Sequence, residues 1–225
     1  MDDVVPERIE RFARLVGPES DAVVEEMDAY AEATGFPTVG PAVGGWLRLL
    51  ARLVDAERVF EFGSGFGYSA YWVAGALPES GEVVLTDRDA DNLTRAREYL
   101  DRGGYLDRAV FEEGDAVEVV ERYDGPFDLV LVDHEKHRYA EAFAAAREKV
   151  APGGVVVADN AMTADPIDFE ALSALLAGES VETNEATRGV HEYLRTVRSD
   201  PAFETALVPV GEGIAVSRRS GTDGP

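Results

Sequence analysis

Acidic side chains follow several of the apolar runs that the sequence predicts to be buried strands. Asp87, Asp133 and the pair Asp159-Asn160 each come directly after such a run. In open α/β sheets, ligands bind beyond the carboxyl ends of the strands. A single aspartate after a strand is ordinary turn chemistry. The same placement on three strands predicts a polar ligand site at this edge of the sheet.

Two of these carboxylates are candidates for holding a cation. If the strands have the usual order 3-2-1-4-5, strands 4 and 5 are neighbours about 4.8 Å apart, so Asp133 and Asp159 would face one crevice. Two carboxylates so placed either share a proton or hold a cation. Asn160 adds a neutral oxygen, and an all-oxygen set suits Mg²⁺ with retained water. Zinc bound by His134 and His137 is the alternative, although histidines beside a strand end are more often packing or surface residues.

Lys136 lies three residues after Asp133, at the mouth of the predicted crevice. The chain has only one other lysine, Lys149, and otherwise uses arginine. Arginine stays protonated in proteins, whereas lysine is able to act as a general base. A lysine retained here therefore indicates a proton acceptor, unless one of two lysines falls at this position by chance.

A glycine-rich loop precedes these residues in the chain. The apolar run 59–62 predicts a strand, Gly63, Gly65 and Gly67 allow a tight turn, and a helix-patterned segment begins at Ser69. Strand, glycine loop and helix form the usual site of a nucleotide-type cofactor, with an acid such as Asp87 about 20 residues on for the ribose. The loop lacks the third glycine of the dinucleotide fingerprint. The alternative is a tight turn without a ligand.

Length and composition indicate the domain organisation, the location and the partners of the protein. The chain has 225 residues, no cysteine, and 44 acidic against 21 basic residues, for a net charge of −23. We expect one α/β domain over 1–218 with a helical cap over 1–37 and a disordered tail over 219–225. The sequence has no signal-peptide pattern and no apolar run long enough for a membrane span, which predicts a cytoplasmic protein. Acidic residues spread along the whole chain predict function in concentrated salt, and a specific acidic interaction surface is the alternative. Both interpretations argue against a nucleic-acid partner, because binding nucleic acid requires basic residues that neutralise phosphates.

The remaining periodicity predicts the elements that position the site. Helical spacing covers 6–16, 19–34 and 42–54, and we expect Trp46, Leu49, Leu50 and Leu53 on the inner face of the third helix. Further strands are predicted at 83–86, 109–111, 127–132 and 155–158, with helices between them, which favours a parallel sheet. A hairpin is predicted from 205–210 and 214–217.

Together these motifs resemble the S-adenosylmethionine-dependent O-methyltransferases of the catechol and caffeoyl-CoA type. The resemblance runs from about 38 to 218. It rests on Val39-Gly40, on Glu61-Phe62-Gly63 with Gly67-Tyr68-Ser69, on Asp133-His134-Glu135-Lys136, on Asp159-Asn160 and on the hairpin around Glu212. It implies a Rossmann-like class I methyltransferase fold, a seven-stranded mostly parallel sheet of order 3-2-1-4-5-7-6. The antiparallel strand belongs to the terminal hairpin.

The resemblance also implies roles for individual residues. Asp133, Asp159 and Asn160 would hold Mg²⁺ or another divalent cation, and Lys136, with Asp133, would be catalytic. The S-adenosylmethionine site would comprise Val39, Glu61, Gly63, Ser69, Asp87, Asp115, Ala116 and Asp133. The acceptor would be a small catechol-like molecule, and the family suggests a homodimer.

The sequence departs from the family at three places, and other functions remain open. Gly65 is an additional loop glycine, Ala161-Met162 stands where relatives place an aromatic residue, and no acid is assigned to the second acceptor hydroxyl. The alternatives are a NAD-dependent oxidoreductase, a metal-independent methyltransferase and a catalytically silent binding protein on the same fold.

Overall fold

A seven-stranded sheet forms the centre of the computed structural model, which describes residues 4–221. The strands are β1 (Arg58–Phe62), β2 (Glu82–Asp87), β3 (Ala109–Glu113), β4 (Phe127–Val132), β5 (Val150–Ala158), β6 (Phe203–Val208) and β7 (Ile214–Arg219). Their order is β3-β2-β1-β4-β5-β7-β6. Strand β7 is antiparallel to both neighbours, and the other pairs are parallel. The predicted Rossmann-like fold and strand order are confirmed.

Nine α-helices lie within the described residues. They are α1 (Glu7–Val16), α2 (Ala22–Thr34), α3 (Gly40–Leu53), α4 (Tyr68–Ala74), α5 (Ala90–Arg102), α6 (Ala116–Val120), α7 (Tyr139–Ala146), α8 (Phe169–Leu176) and α9 (Glu185–Ser199). Side-chain oxygens at several N-termini accept hydrogen bonds from first-turn amides, as at Asp21, Asp89, Asp168 and Asn184. Within the predicted cap, α2 buries Val24 and Met27, and α1 buries none of its residues.

Apolar side chains on both faces of the sheet build two cores. Val59 and Leu131 point into the core shared with α2–α5, whereas Phe60, Phe62 and Val130 point into the core shared with α6–α9. Parallel strands covered on both faces are expected to be apolar throughout. The carboxyl ends of the strands are thus held rigidly between two helical layers.

The inner face predicted for α3 is correct at Leu50 and wrong at the other three positions. Trp46, Leu49 and Leu53 are exposed, and Val43 and Leu47 are buried together with Leu50. The reason is the close approach of α4: a Cβ on Gly44 would lie 2.4 Å from the Trp72 ring. Glycine permits this contact, so the face with the smaller residues is the one that packs.

The predicted tail begins too early. Strand β7 includes Arg219, whose guanidinium donates to the carbonyls of Glu148 and Val150 at 3.1 and 2.6 Å. The Ser220 amide donates to the Ala202 carbonyl at 2.8 Å. These bonds fix the chain beyond residue 218. Residues 222–225, the rest of the predicted tail, lie outside the described residues.

Candidate active site

The carboxyl ends of the parallel strands open onto a cleft of about 730 Å³. Loops after β1, β2, β3, β4 and β5 contribute its walls, together with the turn before α3 and the β6–β7 hairpin. All but one of the residues predicted for the site line it: Val39, Gly63, Ser69, Asp87, Asp115, Ala116, Asp133, Lys136, Asp159 and Asn160. The structure therefore brings both predicted groups, for cofactor and for metal, into one cavity.

The loop after β1 adopts a backbone that only glycine reaches easily. Gly63, Gly65 and Gly67 have φ of 81°, 50° and 86°. The Gly65 amide donates to Asp87 Oδ2 at 2.9 Å, and a Cβ at this position would lie 2.9 Å from the Phe36 ring. The additional glycine thus lets an aromatic ring cover the loop while Asp87 holds the backbone.

Glu61 is the predicted site residue that does not line the cleft. Its side chain is buried, and one carboxyl oxygen accepts a hydrogen bond from the Ser69 hydroxyl. The other oxygen has no hydrogen-bond partner within residues 4–221. Burial raises the pKa of Glu61 to about 8, and the Ser69 bond opposes the shift. Strand β1 directs Glu61 toward α4, where its carboxyl group bonds to the Ser69 hydroxyl. Ser69 lines the cleft, so Glu61 supports Ser69 from outside the cleft.

Asp87 ends β2 with both oxygens engaged by the chain. Besides the Gly65 bond, Oδ1 accepts from the Asp89 amide at 2.8 Å and from Asn92 Nδ2 at 3.3 Å. A carboxylate offers about four lone-pair sites. Asp87 is therefore fixed in orientation and retains capacity for a further donor from the cleft.

Asp115 is held by two arginines. Its Oδ2 accepts from Arg88 at 2.6 Å and from Arg138 at 2.7 Å, and its Oδ1 accepts from the Val117 amide at 3.0 Å. Desolvation alone would raise the pKa of Asp115, but the bonds from Arg138 and Arg88 outweigh it and hold the pKa well below its usual range. Arg138 therefore ties the loop after β4 to the loop after β3.

Lys136 lies in the centre of the predicted metal ligands. Its Nζ donates to Asp133 Oδ1 at 2.9 Å, to the Tyr139 hydroxyl at 2.7 Å and to Asn160 Oδ1. Asn160 has a φ of 51°, a left-handed conformation that asparagine tolerates better than most residues. The turn after β5 thereby presents the amide oxygen to the same point as Asp133.

Asp159 completes this group from a buried position. The side chain is 4% exposed and its Oδ1 has no partner among the described residues. Burial, and then the charge of Asp133, raises the pKa of Asp159 well above its usual range. An orphaned carboxyl oxygen beside a carboxylate and an amide oxygen fits an oxygen-preferring dication. The Lys136 ammonium is already a cation at two of these oxygens.

Sequence reasoning missed two residues of this group. The Tyr139 hydroxyl accepts from Lys136 and donates to the Asp159 carbonyl at 3.0 Å. Glu212, in the turn of the β6–β7 hairpin, accepts from Asn160 Nδ2. Tyr139 follows Lys136 by three residues, which was an available signal. The hairpin around Glu212 was part of the family resemblance, but the contact of Glu212 with Asn160 depends on the sheet topology.

The zinc alternative is not supported by the histidine positions. His134 stacks on Tyr139 at 5.5 Å between ring centroids, and burial lowers its pKa to about 4. His137 is exposed. Over residues 4–221, no group of three or more His, Cys, Asp or Glu side chains is arranged to hold a metal. The oxygen set above differs from such a group because one member is an amide.

The sheet order, the glycine loop and this cleft define a class I methyltransferase fold. Comparison with known proteins narrows the class, since a family model described as O-methyltransferase matches residues 22–220. The chain is 34% identical to catechol O-methyltransferase of Niastella koreensis over 71% of its length and 75% of the relative. The chain belongs to this O-methyltransferase family, and it is an S-adenosylmethionine-dependent enzyme, as the sequence predicted.

More distant relatives agree with the fold. Caffeoyl-CoA O-methyltransferase 1 of Arabidopsis thaliana is 26% identical, with 90% of this chain and 78% of the relative covered. A methyltransferase structure from Geobacter sulfurreducens is 27% identical with a TM-score of 0.78, over 96% and 97% of the two chains. The O-methyltransferase of Bacillus cereus in complex with SAH has a TM-score of 0.81 at 22% identity, over 95% and 97% of the two chains.

No helix among the described residues has the length and apolarity of a membrane span.

Proposed function

We propose that the protein transfers a methyl group from S-adenosylmethionine to one hydroxyl of a small acceptor with two adjacent oxygens, such as a catechol, with the help of Mg²⁺ or a similar dication. The observation that carries this proposal is the cluster of Asp133, Lys136, Asp159 and Asn160 at the edge of the cofactor cleft. The names of the relatives support the acceptor class. Family membership leaves no reason to retain the nicotinamide oxidoreductase.

The cofactor would extend along the cleft from α4 to the loop after β3. Ser69 and Gly63 would contact its amino-acid end, with Glu61 behind Ser69 and Val39 closing over it. Asp87 would accept from a ribose hydroxyl through its one remaining lone-pair site. Asp115 and Ala116 would border the adenine. Because Asp115 is paired with the guanidinium groups of Arg88 and Arg138, which join two loops of the cleft, we assign it mainly a positioning role.

The metal would be held by Asp133, Asp159 and Asn160. When bound, it would supply positive charge that favours an ionised acceptor oxygen. Lys136 Nζ, in its neutral form, would accept the hydroxyl proton. The acceptor oxygen would then attack the methyl carbon in line while the carbon–sulfur bond breaks, leaving S-adenosylhomocysteine. Positioning of the two reactants would supply most of the rate gain.

Glu212 would take the place of the acid that the sequence left unassigned. It lies at the rim of the cleft and holds the amide of Asn160. Its carboxylate remains accessible from solvent and can accept from a second acceptor hydroxyl beside the first. Two adjacent oxygens on the acceptor would thus be recognised by Lys136 and by Glu212, which both contact the Asn160 amide.

Asp87→Asn tests the placement of the cofactor. We expect affinity for S-adenosylhomocysteine, measured by calorimetry, to fall by about 1.5–3 kcal/mol, the range for a hydrogen bond to a charged group. Asp89→Asn is the matched control, because Asp89 caps α5 without lining the cleft. Equal affinities in the two variants would show that the ribose binds at another strand end.

The acidic surface predicts dependence on salt. A net charge of −23 repels itself in dilute buffer, and added salt screens that repulsion. We expect the melting temperature to rise substantially between about 0.1 M and 2 M KCl, beyond the change that screening gives an ordinary protein. A flat dependence would favour a specific acidic interaction surface. The cytoplasmic location, the homodimer and the lack of a nucleic-acid partner stay predictions.

A further inference from the structure

The Lys136 side chain already occupies the position of a cation. Its ammonium contacts Asp133 Oδ1 and Asn160 Oδ1, which belong to two of the three residues proposed as metal ligands. The Lys136 side chain is 15% exposed. The amide of Asn160 is oriented by Glu212, which accepts from Nδ2 and so leaves Oδ1 facing Lys136. The cluster is thus a built cation site with lysine as one occupant.

We propose that the Lys136 ammonium and the divalent cation are alternative occupants of the oxygens of Asp133 and Asn160. Loading the metal would then drive the lysine out of this site and toward the acceptor. The inference rests on the proposed metal site. It adds an order of events, in which Lys136 becomes available to the acceptor only after the metal has bound.

Simple electrostatics makes the two occupants exclusive. Two cations that share the same carboxylate and amide oxygens repel each other, and the partial burial of Lys136 and Asp133 strengthens that repulsion. Lys136 contacts Asp133 Oδ1 and Asn160 Oδ1, and both residues are proposed metal ligands. An ammonium bonded to Asp133, Asn160 and Tyr139 uses all three of its donors, so it has none left for another partner.

The surroundings hold the backbone of Lys136 in place, so the proposed displacement would involve the side chain alone. Lys136 begins a short 3₁₀ turn, Lys136–Arg138, that packs against α9. A Cβ on Gly189 would lie 2.4 Å from His137 Cα and 2.5 Å from the Lys136 carbonyl, so helix and turn are in close backbone contact. The Tyr139 hydroxyl donates its proton to the Asp159 carbonyl, and this bond keeps the lone pairs of the hydroxyl directed at Lys136. Tyr139 would retain the lysine after the other two oxygens have passed to the metal.

The experiment measures Mg²⁺ binding to the full chain saturated with S-adenosylhomocysteine, by calorimetry after removal of metal with chelator. Removing the competing cation in Lys136→Met should tighten Mg²⁺ binding by roughly tenfold or more. Lys149→Met is the control and should bind as the wild type does. Lys149 donates to the carbonyls of Val120 and Tyr123, each at 2.9 Å, and does not line the cleft.

The same two lysines allow the movement to be observed directly. In protein carrying isotope-labelled lysine, the side-chain NMR signal of Lys136 should shift on addition of Mg²⁺, and that of Lys149 should stay in place. Equal Mg²⁺ affinity in wild type and Lys136→Met, or an unchanged Lys136 signal in the Mg²⁺-loaded protein, would overturn the proposed competition between Lys136 and the metal. Neither result would overturn the metal site itself. Failure of both proteins to bind Mg²⁺ would overturn the metal site and this inference with it. Unchanged affinity for S-adenosylhomocysteine in Lys136→Met establishes that the variant is folded.

Discussion

Lys136→Arg should depress kcat roughly 10²-fold or more while leaving affinity for S-adenosylhomocysteine unchanged. Arginine keeps the positive charge beside Asp133 but cannot accept a proton at neutral pH. The loss should appear in kcat at saturating acceptor, because the substitution removes a proton acceptor and leaves the cofactor contacts in place. Steady-state kinetics and calorimetry on the same preparation separate the two quantities.

Lys149→Arg provides the comparison, since it makes the same chemical change outside the cleft. It should retain the activity of the wild type. If Lys136→Arg also kept kcat within a few-fold of the wild-type value, another group would have to take the proton, and the role proposed for Lys136 would be wrong.

Asp159→Asn should abolish metal-dependent turnover and leave the cofactor bound. The substitution removes a proposed metal ligand from a site where the chain offers few others. It should not lower the melting temperature of the metal-free protein, because burial and the neighbouring Asp133 raise the pKa of Asp159 well above its usual range and ionisation there is unfavourable. Turnover with Mg²⁺ and thermal melting in EDTA test both parts.

Asp165→Asn is the matched control for this variant. Asp165 lies on the rim of the same cleft but is exposed and makes no hydrogen bond to the predicted metal ligands among the described residues. It should retain metal-dependent turnover. Turnover by Asp159→Asn at the level of Asp165→Asn would remove Asp159 from the metal site.

The sheet and the strand-end acids were accessible from the sequence because both depend on local pattern. Strand β4 begins and ends where the apolar run does, at Phe127 and Val132. Asp87, Asp133 and Asp159 all face the cleft, because the carboxyl ends of parallel strands must meet at one edge. The alternation of strands and helices indicated a parallel sheet, and the resemblance to the methyltransferase family implied its strand order.

What the sequence did not give depends on contacts between distant segments. Three of the four residues predicted for the inner face of α3 were misassigned because Gly44 makes room for Trp72, a contact that hydrophobicity does not reveal. Glu212 reaches the site because β7 pairs antiparallel with β5, which brings the β6–β7 turn to Asn160. Glu61 was assigned to the cleft from its motif, although the alternation of β1 turns it toward Ser69.

The position of Lys136 is a further result that no local pattern could supply. Spacing placed it near Asp133, but only the structure brings Tyr139 and Asn160 to the same ammonium. A lysine assigned only as a base is also the resident cation of the oxygens that would bind metal. Separating these two roles requires measurements on metal binding as well as on turnover.

The most direct test of the account is methyl transfer from S-adenosylmethionine to catechol, measured by product formation with Mg²⁺ and again after treatment with EDTA. We expect monomethylated catechol in the presence of Mg²⁺, none in EDTA, and recovery when Mg²⁺ is restored in excess. A protein that methylates catechol in EDTA at its full Mg²⁺ rate would contradict the proposed metal site and leave a metal-independent methyltransferase.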